Sequence, residues 1–188
     1  DRGSQTGEIW ITRGSQSRII RIDRGSVIGN VRIDEGSQNG DISIVGGSQS
    51  GNISIVGGSQ SGNISIAGKS QGQNIHINKK SKADDINIDY SQCGDISINR
   101  DSQCGDINIE TNSLCGGINL NNNSQCQDII IDYGQTDNIR IRESRCTTLV
   151  MDSNYAGMEL YNASIPQMRV TNCCLPAIYW QAGTKGEL

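Results

Sequence analysis

The chain has 188 residues, a formal net charge of −4, 34% hydrophobic residues, 4% aromatics and no phenylalanine. A large core packed by aromatic rings cannot be built from that inventory. Bulk charge gives no basis for binding a nucleic acid, and no apolar run is long enough to insert into a membrane as a helix.

From the first residues onward the chain is a repeat. Between Val45 and Ile66 the eleven residues Val-Gly-Gly-Ser-Gln-Ser-Gly-Asn-Ile-Ser-Ile occur twice in succession, and the rest consists of looser copies. Registered on the first residue of the aliphatic pair, the units begin at Ile9, Ile20, Val31, Ile42 and Ile53, and end at Leu149, Met158, Met168 and Ile178, seventeen in all. The spacing is eleven residues up to Ile86, ten or eleven to Leu149, and nine or ten beyond. A short period sustained over a whole chain predicts a solenoid, in which no copy can bury its apolar face alone. The phase-locked isoleucines also exclude the disordered segment that 23 glycines would otherwise suggest.

Side chains two apart on a strand face the same way, so Ile53 and Ile55 point inward and Ser54 outward. Five residues before each first isoleucine stands a serine in fourteen units, for example Ser48 and Ser59, and Gly134, Ala163 or Cys173 in the others. Only small residues occur there, which predicts a tight inward position. Three before the isoleucine the chain carries Thr6, Ser17, Ser50 and Ser61, then Cys93, Cys104, Cys115, Cys126 and Cys146, and finally Tyr155, Ile165 and Leu175. That column is expected inward as well. Glycines at Gly51, Gly62, Gly94 and Gly105, and at Gly14, Gly25, Gly47 and Gly58, supply the bends.

The fold expected is all-β, a single-chain β-solenoid. One unit per eleven-residue coil, with each isoleucine facing a serine or cysteine, would give a rod of roughly 80 Å at ~4.8 Å per rung. The alternative places two units in a 22-residue coil, isoleucine facing isoleucine, with a rod about half as long. Residues 1–148 read as the regular array. Residues 149–188, shorter and more apolar, with Pro166 and Pro176 unable to donate ladder hydrogen bonds, read as a cap.

Outward positions form ladders. Glutamines recur from Gln5 and Gln16 to Gln125 and Gln135, and Asn30, Asn52, Asn63, Asn74 and Asn138 share a site with Asp41, Asp85, Asp95, Asp106 and Asp128. Stacked amides can hydrogen-bond along the rod. The Ser-Gln-x-Gly-Asn arrangement within an eleven-residue unit resembles the Gln-x-Gly and Asn punctuation of curli-type amyloid subunits, although there the Asn lies further beyond the Gly. The short coil is similar in architecture to solenoid ice-binding proteins, whose flat arrays of Thr or small residues correspond here to a uniform run of only Ser43, Ser54 and Ser65. With Asn52 and Asn63, those serines are the candidate binding face. β-Helical shafts of phage tail fibres and adhesins are a third comparison, of architecture alone.

Cys93, Cys104, Cys115 and Cys126 occupy one column in four successive units. If successive units are successive rungs, Cys93 with Cys104 and Cys115 with Cys126 come within disulfide reach in an oxidising compartment. The other reading is reduced thiols acting as small hydrophobes. Spacings of eleven do not match a zinc site. Asp85, Asp95 and Asp106 are expected above one another, flanked by Asp89 and Glu110, as solvated charge in a repeat that lacks the Gly-Gly-x-Gly-x-Asp pattern of calcium-binding β-rolls. No metal and no cofactor is therefore expected. His76 is the only histidine, and no catalytic constellation forms around it.

The sequence thus leads to a non-enzymatic structural or self-assembling solenoid, such as a surface fibre, adhesin or tail-fibre shaft. Ice binding is the alternative, and a protein-binding repeat scaffold comes third. The expected location is extracellular, on a cell surface or on a virion. Six of the sixteen basic residues fall between Arg2 and Arg32, and Asp1 already lies in register. The partner expected is therefore a second copy, or a preceding domain, docked on the N-terminal coils, with an ice surface as the alternative partner.

Overall fold

The computed structural model describes residues 3–152, 156–173, 178–181 and 185–186. Parallel strands stack with a register that fixes the coil: Ile9 lies beside Val31, Ile20 beside Ile42 and Ile53 beside Ile75, each twenty-two residues on. The solenoid therefore takes the larger of the two geometries, two units per coil. Nine stacked strands at ~4.8 Å per rung give a rod of roughly 40 Å. The eleven-residue coil fails for a physical reason: one unit runs along a single face and a single edge, so it carries the chain only halfway round.

A coil has two faces and two edges. The first face stacks Ile9–Ile11, Val31–Ile33, Ile53–Ile55, Ile75–Ile77, Ile96–Asn99, Ile118–Asn121, Asn138–Arg142, Gly157–Tyr161 and Ile178–Gln181. The second stacks Ile20–Ile22, Ile42–Ile44, Ile64–Ala67, Ile86–Asp89, Ile107–Ile109, Gln125–Asp132, Arg145–Asp152 and Gln167–Thr171. The aliphatic pairs of both faces fill one thin core, and Ile33, Ile44, Ile55, Ile66 and Ile77 are fully buried. Burying each such side chain contributes about 1.5–3 kcal/mol. Isoleucine suits the site because its branched Cβ packs against the same residue on the next rung.

The inward serine column holds in the inner rungs, with Ser37, Ser48, Ser59, Ser81, Ser102, Ser113 and Ser124 fully buried at the corners, while Ser4 is half-buried and Ser15 exposed at the first rung. The column three before the isoleucine is buried at the edges from Ser50 and Ser61 through Cys146 and Ile165. Ser153, Tyr155, Cys174, Leu175 and Pro176 lie outside the described residues.

Corners explain the change in period. An eleven-residue unit commonly turns on two consecutive left-handed residues, such as Gly57 (φ 69°) and Gly58 (φ 77°) or Lys79 (φ 57°) and Lys80 (φ 62°). The ten-residue units keep one, at Tyr90, Tyr133, Glu143, Asn162 and Asn172. Gly51 and Gly62 play a different part from the one expected, since they are not left-handed. A Cβ on them would come within 2.7 Å of Asn30 Oδ1 and 2.5 Å of Asp41 Oδ1, so glycine there makes room for a side-chain carbonyl from the preceding rung.

Candidate functional site

The two-unit coil redistributes every candidate. Ser43 and Ser65 are register partners on the second face, between Arg21 and Asn87. Ser54 stands on the first face between Arg32 and His76. The uniform serine run is thus divided between opposite sides of the rod and does not form one face. Its place on the first face is taken by Trp10, Arg32, Ser54, His76, Ser97, Asn119 and Arg140. Cys93, Cys104, Cys115, Cys126 and Cys146 lie in the inward edge columns, and His76 stands on the outward ladder between Ser54 and Ser97.

Asn52 and Asn63 are spent on the backbone. Asn30 Oδ1 accepts the Asn52 amide at 2.9 Å, Asn52 Oδ1 accepts the Asn74 amide at 3.0 Å, and Asn74 Oδ1 accepts the Asp95 amide at 2.8 Å. The opposite edge repeats this from Asp41 to Asn63 at 2.9 Å and from Asn63 to Asp85 at 3.0 Å. Each side chain supplies the acceptor for the amide one rung on, at a bend where the strand ladder has lapsed. Aspartates do the same work: Asp85 Oδ1 accepts the Asp106 amide at 2.9 Å, Asp106 Oδ1 that of Asp128 at 3.1 Å, and Asp95 Oδ1 that of Gly117 at 2.7 Å. Asp95 therefore belongs to the other edge from Asp85 and Asp106, contrary to the stack of three expected.

Glutamines bridge rungs at the edges, Gln16 to Gln38 at 3.3 Å, Gln49 to Gln71 at 3.4 Å and Gln71 to Gln92 at 3.3 Å. Asparagines do so on the faces, Asn108 to Asn87 at 2.9 Å and Asn121 to Asn99 at 3.1 Å.

The cysteines separate by the same parity. Gln92 bridges Leu114, which sets Cys93 beside Cys115 on one edge. Gln103 bridges Gln125 and Cys126 is the register partner of Cys146, so Cys104, Cys126 and Cys146 form a ladder on the other. Cys93 with Cys104, and Cys115 with Cys126, are on opposite edges of the coil and cannot meet. All five are buried and free. The Cys115 thiol is pushed well above the ordinary cysteine range, first by its hydrogen bond with Cys93 and then by burial. That of Cys146 is raised by its hydrogen bond with Cys126 and then by burial.

One feature was not anticipated from the sequence. A groove of about 740 Å³ on the first face is lined by Asn99, Asn121, Arg142, Glu159, Tyr161 and Tyr179. Arg142 donates to Glu159 at 2.6 Å, and Arg140 stands 3.3 Å from the same carboxylate. The Arg142 hydrogen bond is the main cause that holds Glu159 below the usual carboxylate range. The signal in the sequence was a run of large outward residues in alternate units, which becomes visible only when units are read two at a time. Among the described residues no group of three or more His, Cys, Asp or Glu side chains converges as a metal site. Among the described residues no helix is long and apolar enough to cross a membrane.

No protein-family model, curated protein or solved structure matches this chain.

Proposed function

We propose that the chain is a non-enzymatic structural rod, a shaft or self-assembling surface element that works outside the cell, on a cell surface or on a virion. The observation that carries this reading is where the polar side chains are spent. Asn52, Asn63, Asn74, Asp85, Asp95 and Asp106 each serve the backbone of a neighbouring rung, and Gln16, Gln49 and Gln71 reach along the axis. A surface so occupied stiffens the rod and leaves few side chains free to converge on a substrate.

The partner surface proposed is the N-terminal rung. Ile9–Ile11 and Ile20–Ile22 pair on one side only, and Ile11, Ile20 and Ile22 are 6–8% exposed where the corresponding residues of inner rungs are sealed. An unpaired strand edge is a template for another strand. A second copy, or a domain preceding these coils, stacks there and extends the ladder. Sedimentation velocity across a concentration series, with electron microscopy, tests this: rods should lengthen end to end, and Ile20→Lys should stop them lengthening. A stable monomer that produces thermal hysteresis in ice growth would reject the structural reading and promote ice binding.

A further inference from the structure

We propose that the two cysteine ladders are binding sites for a soft monovalent d10 cation, such as Cu⁺, held in a line between the sulfurs of adjacent rungs.

Geometry separates this from the obvious alternative. Cα atoms one rung apart, ~4.8 Å, fall within the range a disulfide spans, but in-register side chains on parallel strands keep their Cβ atoms near the same ~4.8 Å, above the ~3.5–4.5 Å of an unstrained disulfide. A metal–sulfur bond of about 2.3 Å, as in zinc thiolates, gives two sulfurs ~4.6 Å apart when they are bridged in a line. The rung spacing therefore suits a two-coordinate bridge and opposes an S–S bond. Thiolate sulfur selects soft cations of this kind. A tetrahedral zinc site would need more donors at one point than the ladders bring together.

An ion can reach the sulfurs. Cys93 and Cys115 line a groove of about 390 Å³ that also holds Asp137, and Cys104 lines one of about 430 Å³ beside Asp84 and Asp85. Carboxylates at the mouths attract a cation. Each column also changes to cysteine on consecutive rungs of its own edge, following Ser50 and Gly72 on one and Ser61 and Ala83 on the other. A cysteine is ordinarily a thiol at neutral pH, and the metal takes it as a thiolate. Binding therefore exchanges protons for metal. The Cys93–Cys115 pair loses two protons to take one ion. The Cys104–Cys126–Cys146 ladder loses three to take two, with Cys126 sulfur shared.

The test uses the full chain, reduced and oxygen-free, with Cys173→Ser and Cys174→Ser, titrated with Ag⁺ and read by native mass spectrometry and a pH-stat. One ion for each neighbouring pair gives three ions at saturation and five protons released. Cys115→Ser should leave two ions, Cys104→Ser two and Cys126→Ser one. Serine occurs in these columns at Ser50 and Ser61, so the variants should fold, and circular dichroism checks that they do. Uptake of one ion per thiol, or an equal loss from every serine variant, overturns the proposal. So does quantitative linkage of Cys93 to Cys115 by hydrogen peroxide in metal-free protein, which would make the ladders disulfides.

Discussion

Replacing Asn52 by alanine removes one side-chain carbonyl from the middle of an amide ladder. The Asn74 N–H, 3.0 Å from Asn52 Oδ1, then loses its acceptor, while the bond from the Asn52 amide to Asn30 Oδ1 at 2.9 Å remains. A net hydrogen bond is worth about 1 kcal/mol, and a donor left dry costs ~1–3 kcal/mol. For a chain of this length a loss of about 1 kcal/mol lowers Tm by ~2–4 °C if unfolding is cooperative. A stacked array can also open rung by rung, so amide exchange is the sharper assay. About 1 kcal/mol corresponds to roughly fivefold faster exchange at Asn74, with amides several rungs away unchanged. Asn52→Asp keeps the acceptor, as Asp85 and Asp95 do on neighbouring rungs, and should cost only a few tenths of a kcal/mol. If alanine leaves exchange at Asn74 unchanged, or if alanine and aspartate cost the same, the ladder is not supporting the backbone. Asn52 would then be free to contact a ligand, as the sequence alone suggested.

Ser59 is fully buried at a corner, so Ser59→Leu should overpack and cost ~1–3 kcal/mol, whereas Gln60→Ser on the exposed edge should cost far less; equal melting shifts would refute the column assignment. Lys80 holds φ 62° where the rung before it uses Gly58 at φ 77°, so Lys80→Gly should stabilise by about 1 kcal/mol in thermal melts. Glu159 titrates below its ordinary 4.5 because the Arg142 hydrogen bond favours its charged form. The stabilisation is complete above about pH 4.5 and is lost as pH falls through the lowered value. A carboxyl titration by NMR should show this, and Arg142→Met should move the Glu159 midpoint upward.

The strand pairs, the small corner column and the edge column were legible because each is a constraint of volume: isoleucine must be inside, and only a small residue fits a corner. The coil was not, because Ile42 and Ile53 are the same residue in the same local setting whether they are neighbours in a ladder or stand across the core from one another. Parity leaves a trace only where odd and even units differ. Tyr161 and Tyr179 belong to alternate units, as do Cys93 and Cys115, and both pairings stay hidden when every unit is placed in one column. Asn52 was misread for a related reason. An asparagine at a bend looks exposed in sequence, and only the 22-residue register shows the amide that its carbonyl must serve.

Because one unit carries the chain halfway round, the outside of the rod is counted in twos while the inside is counted in ones. Loss or gain of a single unit would leave the isoleucine core continuous, since both faces present the same pair to it. Every outward residue beyond that point would move to the opposite side: Arg140 and Glu159 would leave the side shared with Ser54 and join that of Ser65. A gene of near-identical eleven-residue copies can lengthen easily, but its surface keeps its meaning only when copies come or go in pairs. Changes at the corners, such as the single left-handed residue at Tyr90 or Tyr133, shorten a coil without that penalty. The drift from eleven residues to ten can thus accumulate along the rod while the two sides keep their identities.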